Sequence, residues 1–335
     1  MRVAWQAIWV IALALLSGCA TWPVREAKPA VSSTGAGDRA LAWLAIQQNP
    51  DGSWGREAGH RPEVTGIVLL AFLEHGESPC YSAAYSERLI RGFEKVMVYS
   101  SDRTLDANGR AVLLCALASG WSMTLNPNLR QATLDLANKI ESSENSAWLI
   151  KAWRELLSLK PNDGAKARLR LLADTYSENA GLYEHACRTV CMVFGCADGR
   201  KESFDRLCRT EWCDWRQSHR PLHTASILKT LMFCYGGRHY KDWRHSFVVD
   251  VIKRQFVEED GAKGWWTASG LGVPHDPDAL RFSKEDEAIY TTAIIASTLY
   301  SGSTKPSTQF LLLDVHEALP EPTDSEDIRI ELGNL

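Results

Sequence analysis

Apolar segments of two kinds alternate along this chain, six of each, and that alternation most narrows what it can fold into. One kind is amphipathic and charged, at 38–48, 84–99, 127–141, 164–176, 200–214 and 241–257. Ser86 to Val96 is typical, with apolar residues at three-and-four spacing and charges between them. The other kind is apolar nearly all round, at 63–75, 108–119, 146–158, 181–194, 221–235 and 285–300, as in Gly66 to Leu73 and Ala225 to Phe233. A helix with one apolar face covers a core from outside, whereas a helix with no polar face is buried on both sides. Each pair therefore predicts a hairpin with one outer and one inner helix, recurring at intervals of roughly forty residues. Six such hairpins predict an all-α, single-domain (α/α)6 toroid with inner and outer helix layers; an open helical solenoid is the alternative with the same repeat. Most inner segments stop at glycine, at Gly76, Gly120, Gly195, Gly236 and Gly302, which predicts left-handed C-terminal caps. The last interval is lengthened by Glu258 to Phe282, whose glycines and prolines predict an extended loop.

Composition adds exclusions. The chain of 335 residues, 45% hydrophobic and 23% charged, can bury a large core and is neither disordered nor a polytopic membrane protein in character. A formal charge of −4, with no run of Lys or Arg, gives no electrostatic basis for a nucleic-acid partner.

The N-terminus carries an address. Arg2 precedes an apolar run from Val3 to Leu16, broken only by Gln6, and Leu16-Ser17-Gly18-Cys19 follows. This is the charged start, apolar middle and small-residue exit of a secretory signal, short for a membrane span. Its end resembles the bacterial lipobox, whose cysteine becomes the lipid-modified first residue of the mature chain. Residues 1–18 are thus the expected signal peptide of a lipoprotein and Cys19 the lipidation site, with a plain signal peptide or an uncleaved anchor as alternatives. Ala20 in place of Asp implies, by the usual bacterial sorting pattern, the outer membrane, facing the periplasm or the cell surface, so the membrane is an expected partner through the lipid anchor. Residues 19–36, rich in Pro, Ser, Gly and Ala, read as a tether, residues 37–302 as the toroid domain, and residues 303–335 as an irregular acidic tail.

The first hairpin carries a second resemblance. Gln48-Asn49-Pro50-Asp51-Gly52-Ser53-Trp54 resembles the Q-x-x-D-G-S-W repeat of squalene and hopene cyclases and the related protein prenyltransferases, and Glu63 to Leu73 is similar to the inner helix that follows it there. A weaker echo runs from Gln255 through Asp260-Gly261 to Gly264-Trp265-Trp266, with the serine missing and the spacing stretched. The residues explain themselves as structure: Asp-Gly makes a tight turn, a glutamine bonds freed backbone groups, and a tryptophan plates the hairpin against its neighbour. The resemblance implies the toroid fold, but its catalytic sets are missing. The D-x-D-D acid motif of the cyclases has no match, since Asp276-Pro277-Asp278-Ala279 lacks the last Asp and Glu285-Asp286-Glu287 opens a helix, where the dipole favours acids anyway. The D-x-C of the prenyltransferase zinc site is also absent, and no cofactor or metal is expected. A non-catalytic binding or scaffolding module of the cell envelope is the first expectation, and an enzyme using the ring's cavity, acting on polysaccharide or as a degenerate cyclase, is the alternative.

Candidate site residues recur near the starts of the inner helices, at Glu63, Arg110, Trp148, Tyr183, Glu184, His185, His223, Asp286 and Tyr290. Six helix starts facing one mouth make a ligand site for a glycan, peptide or lipid, and Tyr, His and Glu together supply acid and base groups. Capping explains many polar residues at such positions without any ligand. Glu184, His185 and His223 stand out, because an ionisable group on an otherwise apolar helix is costly without a partner or a task. Eight cysteines remain beyond Cys19, and outside the cytoplasm an even number invites disulfides, one or two of which could lock hairpins within 187–234 with pairings left open; buried free thiols are the alternative.

Overall fold

The computed structural model describes residues 35–299, apart from 81, 103, 142, 143, 145, 160–162, 178, 179, 210, 211 and 236. The side chains of 209, 212–214, 232–235, 237–241 and 243–245 are not described. The signal segment, Cys19, most of the tether and the acidic tail lie outside the described residues. The described residues are all-α apart from one small ribbon.

The twelve predicted segments become helices. The amphipathic ones are α1 (Ala36–Ile46), α3 (Ser86–Ser100), α5 (Pro127–Ala137), α7 (Asp163–Thr175), α9 (Arg200–Arg209) and α11 (Gly237–Ile252). The apolar ones are α2 (Arg61–Glu74), α4 (Ala107–Thr124), α6 (Ala147–Leu159), α8 (Leu182–Phe194), α10 (Pro221–Tyr235) and α13 (Lys284–Leu299). Burial follows the patterning: α2 is buried without interruption from Pro62 to Leu73, whereas α3 buries one stripe of Leu89, Gly92, Phe93, Val96 and Ser100. The apolar helices pack serially, α2 on α4, α4 on α6, α6 on α8, α8 on α10 and α10 on α13, and α13 packs on α2. The amphipathic helices flank them: α3 lies on α2 and α4, α7 on α6 and α8, α11 on α10, and α1 on α13.

The predicted loop before α13 is more ordered than its composition suggests. A 3-10 turn (Trp212–Gln217) precedes α10, and after α11 come β1 (Phe256–Val257), β2 (Gly264–Trp265) and the four-residue α12 (Ala268–Leu271). β1 and β2 pair antiparallel, Phe256 opposite Trp265.

The glycine stops divide. Gly76 takes the left-handed conformation as expected, with φ of 80°. Gly195 does not; the left-handed residue is the next one, Cys196. Gly120 lies inside α4, which runs on to a left-handed Leu125. Its reason is packing, since a Cβ there would sit 2.5 Å from the Phe93 ring of α3. Gly236 and Gly302 lie outside the described residues.

The two tryptophan corners are built alike. At the first, the Gln48 amide donates to the carbonyls of Gly52 (3.0 Å) and Arg88 on the neighbouring outer helix (2.9 Å), and its oxygen accepts from Arg91. Asp51 accepts from the Ser53 amide and hydroxyl and pairs with Lys95, and the Ser53 hydroxyl, ahead of Lys95, holds its carboxyl well below the usual range. Gly52 turns at φ of 89°, 2.7 Å from Arg91 O by its missing Cβ. The buried Trp54 donates from Nε1 to Leu44 O (2.7 Å) and from its backbone to Thr65 Oγ1 (2.9 Å), and that hydroxyl donates back to Trp54 O. At the second corner Trp266 donates from Nε1 to Val251 O (2.9 Å), its amide donates to Thr292 Oγ1 (2.9 Å), and Thr292 donates back to Trp266 O. Gln255 donates to Ala36 O (2.8 Å) and accepts from Arg39 (3.0 Å). The β1–β2 ribbon occupies the stretch between Gln255 and Trp266, which accounts for the stretched spacing of the echo.

Candidate functional site

The polar residues near the inner-helix starts separate into one converging cluster and several capping groups. The cluster is centred on His223 of α10, 4% exposed. Its Nε2 lies 2.9 Å from the hydroxyl of Tyr290 on α13, and its Nδ1 lies 3.2 Å from Asp278 Oδ2 but out of line for a hydrogen bond. Trp148 of α6 meets the imidazole edge to face at 5.5 Å, and the Tyr183 ring of α8 stacks against it at 6.5 Å. Arg220, half-buried, stands over the Tyr183 ring and 3.6 Å from Asp278 Oδ1. On the other side Arg281, also half-buried, pairs with the buried Glu63 of α2 and lies over Phe282.

Local chain geometry places these groups. Asp276 accepts from the Leu222 amide at the N-terminus of α10 (2.9 Å) and from the amides of Asp278 and Ala279, so one carboxylate ties the loop to the helix that carries His223. The loop then delivers Asp278 beside Nδ1. Asp276, Asp278, Arg220 and Arg281 were not expected at a site. The two aspartates had been set aside as a failed acid motif in a loop, and the only signal for them was a pair of acids in a chain segment long enough to fold over an inner helix.

Burial dominates the electrostatics. It pushes the His223 pKa below the ordinary imidazole value against the pull of Asp278, so the ring is neutral at pH 7. With the carboxylate favouring a proton on Nδ1, Nε2 is left to accept from the Tyr290 hydroxyl. Burial likewise raises Tyr290 and Tyr183 well above the usual phenol, and raises Glu63 despite Arg281. The site therefore presents a neutral imidazole and neutral phenols under two guanidinium–carboxylate pairs. Three of its buried polar atoms, Trp148 Nε1, His223 Nδ1 and Asp278 Oδ2, have no hydrogen-bond partner among the described residues.

Other candidates lie elsewhere. His185 faces the outer layer, with Nε2 3.2 Å from Ser203 O of α9. Asp286 accepts from the amides of Arg56 and Glu57 (2.6 and 3.0 Å) and fastens the chain after the first corner to α13. Arg110 pairs with Glu144 (2.8 Å). Glu184 pairs with His219 at 3.2 Å, and His219 meets the Tyr183 ring edge-on at 5.3 Å, which puts Glu184 beside the cluster and outside it. The six described cysteines, Cys80, Cys115, Cys187, Cys191, Cys196 and Cys208, are free thiols, so of the two expected states they show no disulfide. Cys187 and Cys191 are one turn apart on α8, too far for a bridge along a helix, and burial raises both thiols. Cys213 and Cys234 have no described side chains.

Among the described residues no group of three or more His, Cys, Asp or Glu is placed to hold a metal ion, and no helix is long and apolar enough to cross a membrane. Comparison with models of protein families, with curated proteins and with solved structures gave no match.

Proposed function

We propose that this chain is a lipid-anchored cell-envelope lipoprotein whose body is an (α/α)6 toroid, and that the His223 cluster at one end of its inner layer binds a glycan without turning it over. The serial packing of the inner helices, with α13 against α2, and the matching tryptophan corners support the toroid. The binding reading is carried by the buried Trp148 Nε1, which has no hydrogen-bond partner among the described residues, beside a buried His223–Asp278 contact of 3.2 Å that is out of line for a hydrogen bond, because a buried donor without a partner costs about 1–3 kcal/mol and needs a reason to persist. Aromatic faces beside balanced charge pairs suit a sugar, which offers both hydroxyls and apolar ring faces. Neutral His223 and neutral tyrosines supply hydrogen bonds at pH 7 in place of mobile protons.

Trp148 makes the test optical. Full-length protein in detergent micelles, titrated with soluble peptidoglycan fragments, is expected to show a saturable change in tryptophan fluorescence, and His223→Ala to weaken it at least tenfold. A flat titration sinks the reading. For the anchor, labelled palmitate is expected to enter the wild type expressed in a bacterial host and to be lost with Cys19→Ser.

The His223–Asp278 approach also favours a second reading, acid–base cleavage of a polysaccharide. Release of new reducing ends from the same fragments, abolished by Asp278→Asn, would establish it. A degenerate terpenoid cyclase is disfavoured by two buried lysines further along the inner layer, since an ammonium opposes the carbocations of that chemistry.

A further inference from the structure

Beyond Trp148, three inner helices that do not neighbour one another send charged side chains to a common point. Lys151 of α6 donates to Ser226 Oγ of α10 (2.9 Å), reaching past α8. Lys229 of α10 donates to Glu74 Oε2 of α2 (2.8 Å), reaching past α13, and to Ser297 O. Glu74 Oε1 stands 4.0 Å from Lys151, reaching past α4. The meeting point therefore lies inside the layer of inner helices, and the Trp148 ring, 5.2 Å from the Lys151 ammonium, separates it from the His223 cluster.

Two lysines, 4% and 8% exposed, share one carboxylate among the described residues, and the adjacent Arg154 and Glu155 pair with each other. Burial alone would raise the Glu74 carboxyl, but Lys229, then Lys151 and Arg154, bring it down to about 2, so it is ionised. His75 adds no charge at neutral pH, since burial lowers it to about 4, and burial holds the nearby Cys115 thiol neutral by pushing it up to about 12. Burial lowers the Lys229 pKa against the pull of Glu74, and among the described residues no second carboxylate faces the two amines to hold both of them protonated. The Lys151 ammonium has three donors and, among the described residues, a single hydrogen-bond acceptor, Ser226. A buried ion with unused donors is expensive unless something negative joins it. Glu74, its side chain 27% exposed, marks where solvent reaches the cluster.

We propose that Lys151, Lys229 and Ser226 form an anion-binding site inside the inner helix layer, taking a carboxylate or phosphate group, with Glu74 as the resident carboxylate that limits its affinity. The inference stands on these contacts alone and is independent of the glycan reading. A small anion or the head of an acidic lipid offers the same chemistry.

The test is calorimetric titration of the full-length protein in neutral detergent with acetate, inorganic phosphate and dioctanoyl phosphatidic acid. Saturable binding of at least one is expected, and preference for phosphatidic acid over free phosphate would identify a lipid head. Lys151→Met is expected to weaken it at least tenfold. Glu74→Gln is expected to tighten it about tenfold by removing the competing carboxylate, a gain that a purely structural ion pair cannot give. Should Lys151→Met unfold the protein, Glu74→Gln with Ser226→Ala keeps the question open to measurement. No saturable binding of any probe by either the wild type or Glu74→Gln, or binding that ignores both substitutions, overturns the proposal.

Discussion

The tryptophan corners and the His223 cluster are built from similar residues to opposite ends. At both corners the indole N–H, the threonine hydroxyl and the glutamine amide all reach a partner, mostly backbone, with distances between 2.7 and 3.2 Å. Around His223 an equally buried indole and carboxylate meet the imidazole, and they leave the indole N–H without a hydrogen bond and the carboxylate 3.2 Å from Nδ1 but out of line with it. Groups that satisfy the backbone hold the fold, while groups held close together with unused bonding capacity are prepared for something else. The signature that resembles a family of enzymes is therefore scaffold in this chain, and the candidate chemistry stands on residues outside it.

That contrast can be broken by mutation. The largest effect is expected at the corners: Trp54→Ala and Trp266→Ala each cost about 3–5 kcal/mol in urea unfolding, and a mild result at either one removes it from the pair. Thr65→Val and Thr292→Val, which strip the bridging hydroxyls, are expected to cost about 1–3 kcal/mol each, and by similar amounts if the corners are equivalent. In the cluster, Tyr290→Phe leaves the buried His223 Nε2 unpaired and is expected to cost about 1–3 kcal/mol; a loss as large as that of Trp54→Ala or Trp266→Ala would make the cluster structural.

Acid sharpens the comparison with the smallest effect. The His223 pKa is lowered by folding, so its stabilisation is intact above 6.5 and lost as pH falls below it, where the unfolded chain takes up a proton that the folded one refuses. Asp51 is also lowered, from 3.8, so the first corner keeps its carboxylate contribution until pH falls below that value. Unfolding curves at pH 8, 5 and 3 are expected to lose stability first through His223 and the likewise lowered His75, and then through Asp51 and the likewise lowered Glu74. His223→Gln should reduce the first step and Asp51→Asn the second; the reverse assignment would contradict the electrostatics described.

The helices were legible because a helix buried on both sides and a helix buried on one side differ in composition at every turn. Even the second corner showed through in Gln255 and the tryptophan pair, though its true counterpart to Trp54 is Trp266, which an inserted ribbon displaced. The cluster was half legible. His223, Tyr290, Trp148, Tyr183 and Glu63 could be named from their places at helix starts, but Asp278, Arg220 and Arg281 could not, because loop residues carry no periodicity to say where they return. His185 misled for a related reason: periodicity identifies a buried helix without saying which of its two buried faces meets the interior and which meets an outer helix.

The contact between α1 and the ribbon before α13 bears on how the chain comes into being. Arg39 meets Gln255 across 216 positions, and Trp43 stacks on Trp265 at 5.7 Å. A nascent chain can assemble neighbouring hairpins as they emerge, but α1 finds this partner only when the ribbon before α13 has been delivered. Until then, a strip of apolar surface on α1 is exposed to solvent and to other chains, and the interval between synthesis of α1 and of that ribbon is when this protein is most prone to stick to its neighbours.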